Sequence, residues 1–486
     1  MSDIFIPQVQ LGFFGFESGE TSESRLTTIP PEYLEEFVYV NKLGDTYTAT
    51  ATFFDPTYEK LEEALLTSEW SNQKMKNTGR LVARIGVNRR SASSGAMEIY
   101  WSPFLNFTMM NVNPNFGEAG AEVTLELHAW ILNQLSDNLK PRNYIGKRSS
   151  VFSMLFNDLG VPKENIFSEE TDDDFSTENV PGGDANNMTY CSKGMSYQAF
   201  VAQRLIPGAR SKATGRTGYE FQLREDGKSA VFAPPNSDTW NSKIEKKILS
   251  FNYLLGSRQK GYEGGASAGG VNNDVISFSP EFKSNMLGSI GAGSSLCRHY
   301  NPHTKKYGTF NLNYKEVQNV LTLGNKTHLS EKLPPIVLTR NSGYDESVAK
   351  ARAYRTWNML FDTVYEADIE LVGSEKTLGI TGGDVINLSV ITPSGNYHYS
   401  SGMWLVREAT HRVTDSYTVR CHLSRNFGNT GAEGLSVDQE ANYGELVGTI
   451  KSVGDFLGDA ADLGAEVVGD AGLAFQNMID GILGKK

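Results

Sequence analysis

The fold of this chain is decided by residues 400–426, SSGMWLVREATHRVTDSYTVRCHLSRN. Trp404 and Val406 occupy every second position of its first half, and the same two-residue alternation returns over residues 417–423. This period predicts two half-buried strands. Residues 414–416, Thr-Asp-Ser, have the composition of a hairpin turn between them.

Length and charge limit the classes of protein to consider. At 486 residues the chain is too long for one core and predicts roughly three or four domains. A hydrophobic content of 39% with 21% charged residues is typical of a soluble protein with packed cores. The net charge of −12 argues against specific nucleic acid binding through a surface that follows phosphates, and it favours partners with basic patches.

The compartment is indicated by the cysteines and by the apolar runs. Cys191, Cys297 and Cys421 are odd in number and far apart, which predicts no disulfide framework and assembly in a reducing cytoplasm. The first residues, MSDIF, lack the basic start and apolar core of a signal peptide. No run approaches the ~18 apolar residues of a membrane span, so no membrane partner is expected.

Strand signals dominate residues 36–132, after an expected N-terminal arm over residues 1–35. β-branched and aromatic residues concentrate at 37–40, 47–54, 80–87, 104–112 and 121–129. One helix is predicted between them, because Asp55-Pro56 is a helix start and Leu61 and Leu65 share one face. We therefore predict an antiparallel β-barrel or sandwich with one helix.

A small α+β module is predicted over residues 133–238. Apolar spacing indicates a short helix over 151–159, which Gly160 ends, and a second helix near 197–205. A hairpin follows, with strands at 219–223 and 230–232.

A second β-domain is predicted over residues 239–428. Strands are expected at 244–255, at 274–279 and from 364 to 426, the last set after a helix over 344–361. The polar, Gly-rich residues 281–333 show no confident period.

The tail, residues 429–486, predicts a linker and a C-terminal amphipathic helix. Leu446, Ile450, Val453 and Leu457 begin a seam with the 3.5-residue period of a coiled coil. Frequent glycines cost up to about 1 kcal/mol each, so we expect the helix to form only on contact with other copies or a partner. A frayed tail is the alternative.

A family resemblance rests on the order of several short motifs. These are GGDVINL at 382–388, Ser401-Gly402 followed by Val406 and His411, and Tyr417 followed by Leu423 and Asn426. Pro103-Phe104 through Gly120 and FAPP at 232–235 extend the match. The arrangement resembles phage tail baseplate hub proteins, a family that includes late-control tail proteins and the trimeric base of type VI secretion spikes.

The resemblance implies a mainly β fold with an α+β insert. It implies two tail-tube-like antiparallel β-barrel domains, a small mixed module between them and, with the tail, a C-terminal helix. Such a protein would be a structural hub in the baseplate of a contractile phage tail, assembled in the host cytoplasm and located in the virion. It would form a homotrimer that adapts the sixfold tail tube to the threefold central spike, in contact with tail tube, spike and tape-measure proteins.

Two alternatives stay open at this point. One is the hub of a phage-derived contractile injection system, which belongs to the same structural class. The other is a polysaccharide-active β-protein, for which a signal peptide and paired acidic residues in a cleft would be the evidence.

Two motifs suggest catalysis or metal binding, and each has a plainer explanation. Residues 265–269 satisfy G-x-S-x-G but lie in a Gly/Ala/Ser linker, without the strand and helix that a nucleophile elbow needs. Cys297, His299 and His303 could supply three zinc ligands, with His328 or Asp345 as a distant fourth. The paired spacing of structural zinc sites is missing, so an ordinary loop is favoured.

The acidic run at 169–174 lacks the glycine and terminal glutamate of an EF-hand loop, which favours a solvated loop. His411 has no evident carboxylate or nucleophile beside it, so structural hydrogen bonds are expected. The sequence thus predicts no enzyme, with no catalytic residue, no cofactor and no metal site. Its one predicted site is an interface made by the four large residues of the tail seam.

Overall fold

The computed structural model describes residues 6–14, 26–29, 31–57, 80–90, 97–129, 143–144, 146–172, 189–190, 196–224, 229–235, 237–241, 248–255, 274–282, 294–301, 306–313, 336–341, 365–392, 398 and 400–425. Most of these residues lie in strands, and the described α-helices are confined to residues 148–241. The prediction of a mainly β chain is therefore confirmed. The predicted helices at 55–66, 344–361 and in the tail, and with them Leu446, Ile450, Val453 and Leu457, lie outside the described residues.

The elements follow one another along the chain in a simple order. The strands are β1 (Ile6–Phe14), β2 (Leu26–Thr28), β3 (Leu34–Lys42), β4 (Thr48–Asp55), β5 (Arg80–Arg90), β6 (Met97–Trp101), β7 (Leu105–Phe116), β8 (Ala121–Ala129), β9 (Asn143–Tyr144), β10 (Ile166–Ser168), β11 (Thr189–Tyr190), β12 (Glu220–Leu223), β13 (Ala230–Ala233), β14 (Leu249–Leu254), β15 (Val275–Phe282), β16 (Ser294–Asn301), β17 (Lys306–Asn313), β18 (Ile336–Asn341), β19 (Tyr365–Val372), β20 (Val385–Ile391), β21 (Gly402–Val413) and β22 (Tyr417–Arg425). The helices are α1 (Arg148–Asp158), α2 (Tyr197–Phe200, continued by a π-helical turn at Val201–Leu205) and α3 (Asp238–Asn241).

One sheet of 14 strands joins the first and last thirds of the chain. Its main path runs β15-β19-β22-β21-β3-β4-β8-β7-β5-β1-β2, with β20 and β14 branching at β21 and β6 at β5. Most of its pairings are antiparallel, and the β14–β20 pair is parallel. The stretch expected as an N-terminal arm contributes β1 and β2, and β1 pairs with β5 over Ile6–Phe13.

The two halves of this sheet repeat one pattern of pairing. In the first half β3 pairs with β4, β4 with β8, β8 with β7, and β7 with β5. In the second half β15 pairs with β19, β19 with β22, β22 with β21, and β21 with β20. All eight pairings are antiparallel, and corresponding strands come in the same chain order. We call these two five-strand groups the first and second repeat.

Irregularities in register fall at the same places in both repeats. The β3–β4 pair has a bulge between Leu34 and Glu36, and the β15–β19 pair has one between Val275 and Ser277. The β7–β8 pair shifts after Met109, and the β21–β22 pair shifts after Val406. Because a one-residue slip exchanges the two faces of a strand, matching bulges fix which residues correspond.

Corresponding positions also fill the interior in the same way. Tyr47 and Phe107 of the first repeat correspond to Tyr365 and Trp404 of the second by register. The ring centroids are 5.5 Å apart in the first pair and 5.4 Å apart in the second. All four side chains are buried. Each repeat is thus organised around one aromatic pair in edge or tilted contact.

Helices α1–α3 and the small sheet β10-β13-β12 lie between the two repeats in the chain, and we call this part the module. Helix α1 packs on the small sheet β10-β13-β12, burying Phe152 against Phe232 with ring centroids 4.7 Å apart. Gly160 ends this region of helix with a φ of 91°, a left-handed conformation that favours glycine. The Ser196 side chain caps α2 by accepting a hydrogen bond from the Ala199 N–H.

A third group of strands includes β16 and β17, which lie within residues 281–333, where no period is visible in the sequence. Strands β16 and β17 form an antiparallel hairpin, and β18 pairs with β16 in parallel. Polar and glycine-containing strands of this kind lack the alternation on which sequence assignment depends.

We predict that removing either central aromatic residue costs a similar amount of stability. Phe107→Ala and Trp404→Ala should each lower the free energy of unfolding by about 3–5 kcal/mol, because each leaves a large cavity among buried neighbours. Tyr307→Ala is the control, since this side chain is 81% exposed and its loss should cost no more than about 0.5 kcal/mol. Denaturant titration of each variant measures these values, and a cost below about 1 kcal/mol for either aromatic would contradict the equivalence.

Candidate assembly interface

The two repeats meet through one strand pair, β3 with β21. Residues Phe37 to Lys42 pair antiparallel with Glu408 to Val413. Phe37, Tyr39, Ala409, His411 and Val413 are all buried at this junction, which we call the seam. The alternation that predicted strands at 37–40 and 402–413 therefore serves a contact between the two repeats.

Strand β21 pairs with two different strands along one edge. Its first residues, Gly402 to Leu405, pair with β20, and its last residues pair with β3. The change of partner coincides with the bulge after Val406. There the Gly383 N–H donates to the Val406 carbonyl, the Leu43 N–H donates to the Arg407 carbonyl, and the Val406 N–H donates to the Asp384 carbonyl, each at 2.8 Å. The backbone groups released by the bulge are thereby satisfied.

His411 lies in the middle of the seam and is buried there. Its Nε2 is 2.8 Å from the Ile380 carbonyl, and its Nδ1 is 2.7 Å from the Tyr417 hydroxyl. The neutral ring satisfies both contacts, because Nε2–H donates to the carbonyl and Nδ1 accepts from the hydroxyl. Burial lowers the pKa of His411 to about 4. This histidine has the structural role expected from the sequence.

Charged groups line the exposed face of the seam. Arg412 Nε donates to Glu36 Oε1 at 2.6 Å, and Lys42 Nζ lies 3.8 Å from Glu408 Oε2. Pairs this exposed contribute at most about 1 kcal/mol each, so they help to select the register more than to hold the strands together.

The module contacts both repeats beside the seam through a buried polar cluster. Gln222 Nε2 donates to Asn41 Oδ1 at 2.8 Å and to the Gly382 carbonyl at 2.7 Å. Asn41 Oδ1 also accepts from the Gly382 N–H at 3.1 Å. One hydrogen-bond network therefore links a strand of the module, a strand of the first repeat and a turn of the second. Sequence reasoning missed Gln222, because a single polar residue in a short strand looks like an exposed position.

Trp240 of α3 packs against the same turn. It is buried with Val231 and Ala233, and Leu43 packs against this cluster. Gly383 lies beneath the indole with a φ of 90°, and an added Cβ there would come within 2.4 Å of Trp240. Only glycine fits at this position, both for its backbone conformation and for the close approach of the ring.

The acidic run at 169–174 is partly described and is held by ion pairs. Glu170 contacts Lys147 and lies 3.0 Å from Lys212 Nζ, and Asp172 Oδ2 lies 3.6 Å from Arg210 Nε. Hydrogen bonds from Lys147 and then Lys212 lower the pKa of Glu170. Burial raises the pKa of Asp172. These carboxylates pair with basic side chains at the surface, and the Glu170 side chain stays 55% exposed in the loop.

A cleft of about 600 Å³ lies beside this run, between α1 and β10. Ser149, Ser153 and Ser168 line it together with Asp158 and Glu170. The serine hydroxyls hydrogen-bond to neighbouring groups of the module, Ser149 to Thr171 and Ser153 to Ser168.

The other sequence motifs are only partly visible. Cys297 and His299 lie two residues apart in β16, whereas His303, His328 and Asp345 lie outside the described residues, as does the whole of 265–269. Among the residues that the structure describes, no three His, Cys, Asp or Glu side chains come together as a metal ligand set would. No described helix has the length and apolar character needed to cross a membrane.

Exposed apolar side chains concentrate on the first repeat. Within the described part of the chain, most of the large ones lie on β6 and β7: Met97, Ile99, Tyr100, Met110 and Phe116. Phe116 is 70% exposed. Apolar side chains gathered on neighbouring strands in this way mark a candidate contact surface.

Comparison with known proteins places the chain beside tail proteins. It is similar to the solved structure of a tail protein from Neisseria meningitidis MC58, with 8% identity, a TM-score of 0.49 and coverage of 87% of this chain and 98% of that one. A 43 kDa tail protein of prophage MuSo2 from Shewanella oneidensis gives 9% identity, a TM-score of 0.47 and coverage of 86% and 98%. A Francisella PdpA–VgrG complex gives 8% identity and a TM-score of 0.44, and the match covers 87% of this chain and 58% of that one.

No protein-family model and no curated protein sequence matches the chain. The solved structures are phage tail proteins and a VgrG complex, the class that the sequence resemblance named. At these identities and TM-scores, the likeness says nothing about what this chain binds or how many copies assemble.

We predict a loss of stability in acid that depends on His411. Its pKa falls from 6.5 to about 4 on folding, so the unfolded chain takes up the proton first as the pH drops. The contribution of the neutral His411 to the free energy of unfolding is fully present above pH 6.5. It falls by about 1.4 kcal/mol for each pH unit below 6.5 and stays constant below the folded pKa.

Urea titrations at a series of pH values test this. His411→Gln should remove that part of the slope, and His422→Gln, at an exposed position, should keep it. An unchanged slope in His411→Gln would show that His411 is not the group responsible.

Proposed function

We propose that this chain is the structural hub of a contractile phage tail baseplate. The observation that supports it is the repeat: one chain contains two groups of five strands with matching pairings and bulges. Three copies of such a chain present six equivalent units while keeping threefold symmetry. A homotrimer of this kind can join a sixfold tail tube to a threefold central spike.

Each repeat is proposed to be a tail-tube-like β-barrel. In support, the second repeat curls until its outer strands approach one another. The Asp274 N–H, just before β15, donates to the Asn252 carbonyl in β14 at 3.1 Å. Tyr253 and Phe278 face each other across this gap with ring centroids 6.2 Å apart. In this proposal 36–132 and 239–428 are the two tube domains and 133–238 is the module between them.

The tail is proposed to extend the hub towards the inside of the tube. In support, Leu446, Ile450, Val453 and Leu457 begin the coiled-coil period of the tail. Later positions of the same period are mostly small residues such as Ala and Gly. Burial of such large side chains contributes about 1.5–3 kcal/mol each, which offsets the glycine penalty only when several are buried together. The tape-measure protein is the proposed partner of this helix.

The hub of a phage-derived injection system remains a second candidate of the same class. Both would use the same ring, and only the particle that contains the protein separates them. A polysaccharide-active protein is less well supported, because Glu170 of the module cleft is engaged by Lys147 and Lys212.

We predict that the protein is located at the tip of the tail. Electron micrographs of purified particles labelled with antibody against this chain should show one label cluster per particle, at the baseplate end of the tail. Antibody against a head protein is the matched control. Particles whose tail tips are unlabelled would contradict the hub function.

We predict that deletion of residues 445–486 leaves the sheet intact but blocks tail assembly. The truncated chain should keep the circular dichroism spectrum and unfolding transition of the full chain, because the described sheet does not include the tail. Its lysates should lack complete tails or contain particles without the tape-measure protein. Normal infectious particles from the truncated gene would contradict a role for the tail.

A further inference from the structure

The equivalent of β3 in the second repeat is β15, which pairs only with β19 among the strands that the structure describes. In the first repeat, the last half of β7 corresponds to the part of β21 that receives β3. Among the described strands, β5 pairs with β7 only as far as Thr108, and none pairs with the same edge beyond it. The chain thus contains one such strand pair, β3 with β21. It also contains β15 and β7, the equivalents of these two strands, which are not paired with each other.

Burial differs between the two repeats at the positions of the seam. Val413 is 5% exposed where β3 covers it, and its equivalent Phe116 is 70% exposed. Ala409 and His411 are buried, whereas their equivalents Val112 and Pro114 are half-buried and exposed. On the other side, Tyr39 is buried and its equivalent Pro280 is exposed. Phe116, Pro114 and Pro280 are therefore exposed at positions that a second seam would cover.

We propose that β15 of one copy pairs antiparallel with β7 of a second copy, in the register of the β3–β21 seam. This contact rests on the trimer of the proposed function and specifies how its copies join. Transferring the register of the seam places Phe116 opposite Phe278, Pro114 opposite Pro280 and Val112 opposite Phe282. All six residues lie on one face of the joined strands, so the pairing makes an apolar stripe.

Two prolines limit the hydrogen bonds that this register can form. Proline has no N–H to donate to a ladder. Pro114 pairs with Val123, and Pro280 with Ala367, through their other edges, so both prolines turn their nitrogens to the proposed contact. In the transferred register they lie opposite each other at a position where antiparallel strands exchange two hydrogen bonds, and neither bond forms there. The ladder bonds of the neighbouring pairs and the apolar contacts on either side therefore hold the two strands together.

The contact is head-to-tail, because each copy offers the second half of β7 in its first repeat and β15 in its second repeat. Neighbouring repeats are then related by nearly the same rotation and translation, whether they belong to one chain or to two. Repetition of one step closes a ring and leaves no outer strand exposed. For three chains the ring has six units.

Engineered disulfides test the register. Asn115 and Ser279 are exposed and fall opposite each other at a pair without ladder hydrogen bonds, where Cβ atoms of an antiparallel pair lie about 4.5–5.5 Å apart. The full chain carrying Asn115→Cys and Ser279→Cys, oxidised with copper phenanthroline in air, should yield covalent trimers on non-reducing gels. An equal mixture of the two single variants should stop at covalent dimers. Each single variant alone should give only the background of the native cysteines.

Three results would overturn the pairing. They are stable trimers that do not cross-link, equal cross-linking by the off-register pair Asn113→Cys with Ser279→Cys, and a chain that stays monomeric at high concentration without cross-links. Phe116→Asp should abolish trimers at unchanged unfolding free energy, and Tyr307→Asp, at another exposed aromatic, should not. Antibody labelling of the tail tip is independent of these outcomes, so the hub function can stand if this strand pair is wrong, and can fail if it is right.

Discussion

The rest of the structure depends on the backbone hydrogen bonds between β3 and β21. These strands lie some 370 residues apart in the chain, and their pairing makes one sheet out of its two ends. The pairing requires β21 to leave β20 at a bulge and accept β3 on the same edge. It also requires a neutral His411, since a charged ring in this buried position would lose the hydrogen bond from Tyr417. Backbone geometry and one titratable side chain thus set the angle between the repeats.

The position of the module follows from the same contact. The turn at 380–384 is held against β21 by the Gly383 and Asp384 backbone, and it offers the Gly382 carbonyl to Gln222 and the Gly383 Cα to Trp240. If the seam opened, the donor groups of this cluster would be left buried without acceptors, at a cost of about 1–3 kcal/mol each. The three parts of the chain therefore assemble together. A rigid joint of this kind suits a protein whose task is to hold a fixed geometry between neighbours.

Local sequence predicted most strands, because half-buried strands alternate and their ends have turn composition. It could not predict the seam, since nothing in the period of residues 37–42 or 408–413 says that they pair. The repeat is hidden for a similar reason. Corresponding positions in the interior have side chains of similar size and burial, as Phe107 and Trp404 do. Tyr39 and Pro280 also correspond by register, but their residue types are unrelated. The family resemblance implied two similar domains, and register alone identifies the residues that correspond.

The contact surfaces were the hardest to predict. Phe116 looks like a core residue in a strand pattern, and only its exposure in the folded chain separates it from its buried equivalent Val413. Gln222 looked exposed and is buried. The tail interface stays a prediction from the sequence, because its coiled-coil period can be read without a tertiary contact and its residues lie outside the described part of the chain.

The central claim is that two equivalent units per chain form a six-unit ring with threefold symmetry. Electron microscopy of the purified full-length protein tests it most directly, through class averages viewed down the symmetry axis. The account predicts a ring of six lobes around a central hole, alternating between two kinds, with three additional densities for the modules. A ring with three lobes, or particles in which the two repeats of a chain do not occupy equivalent positions, would contradict it.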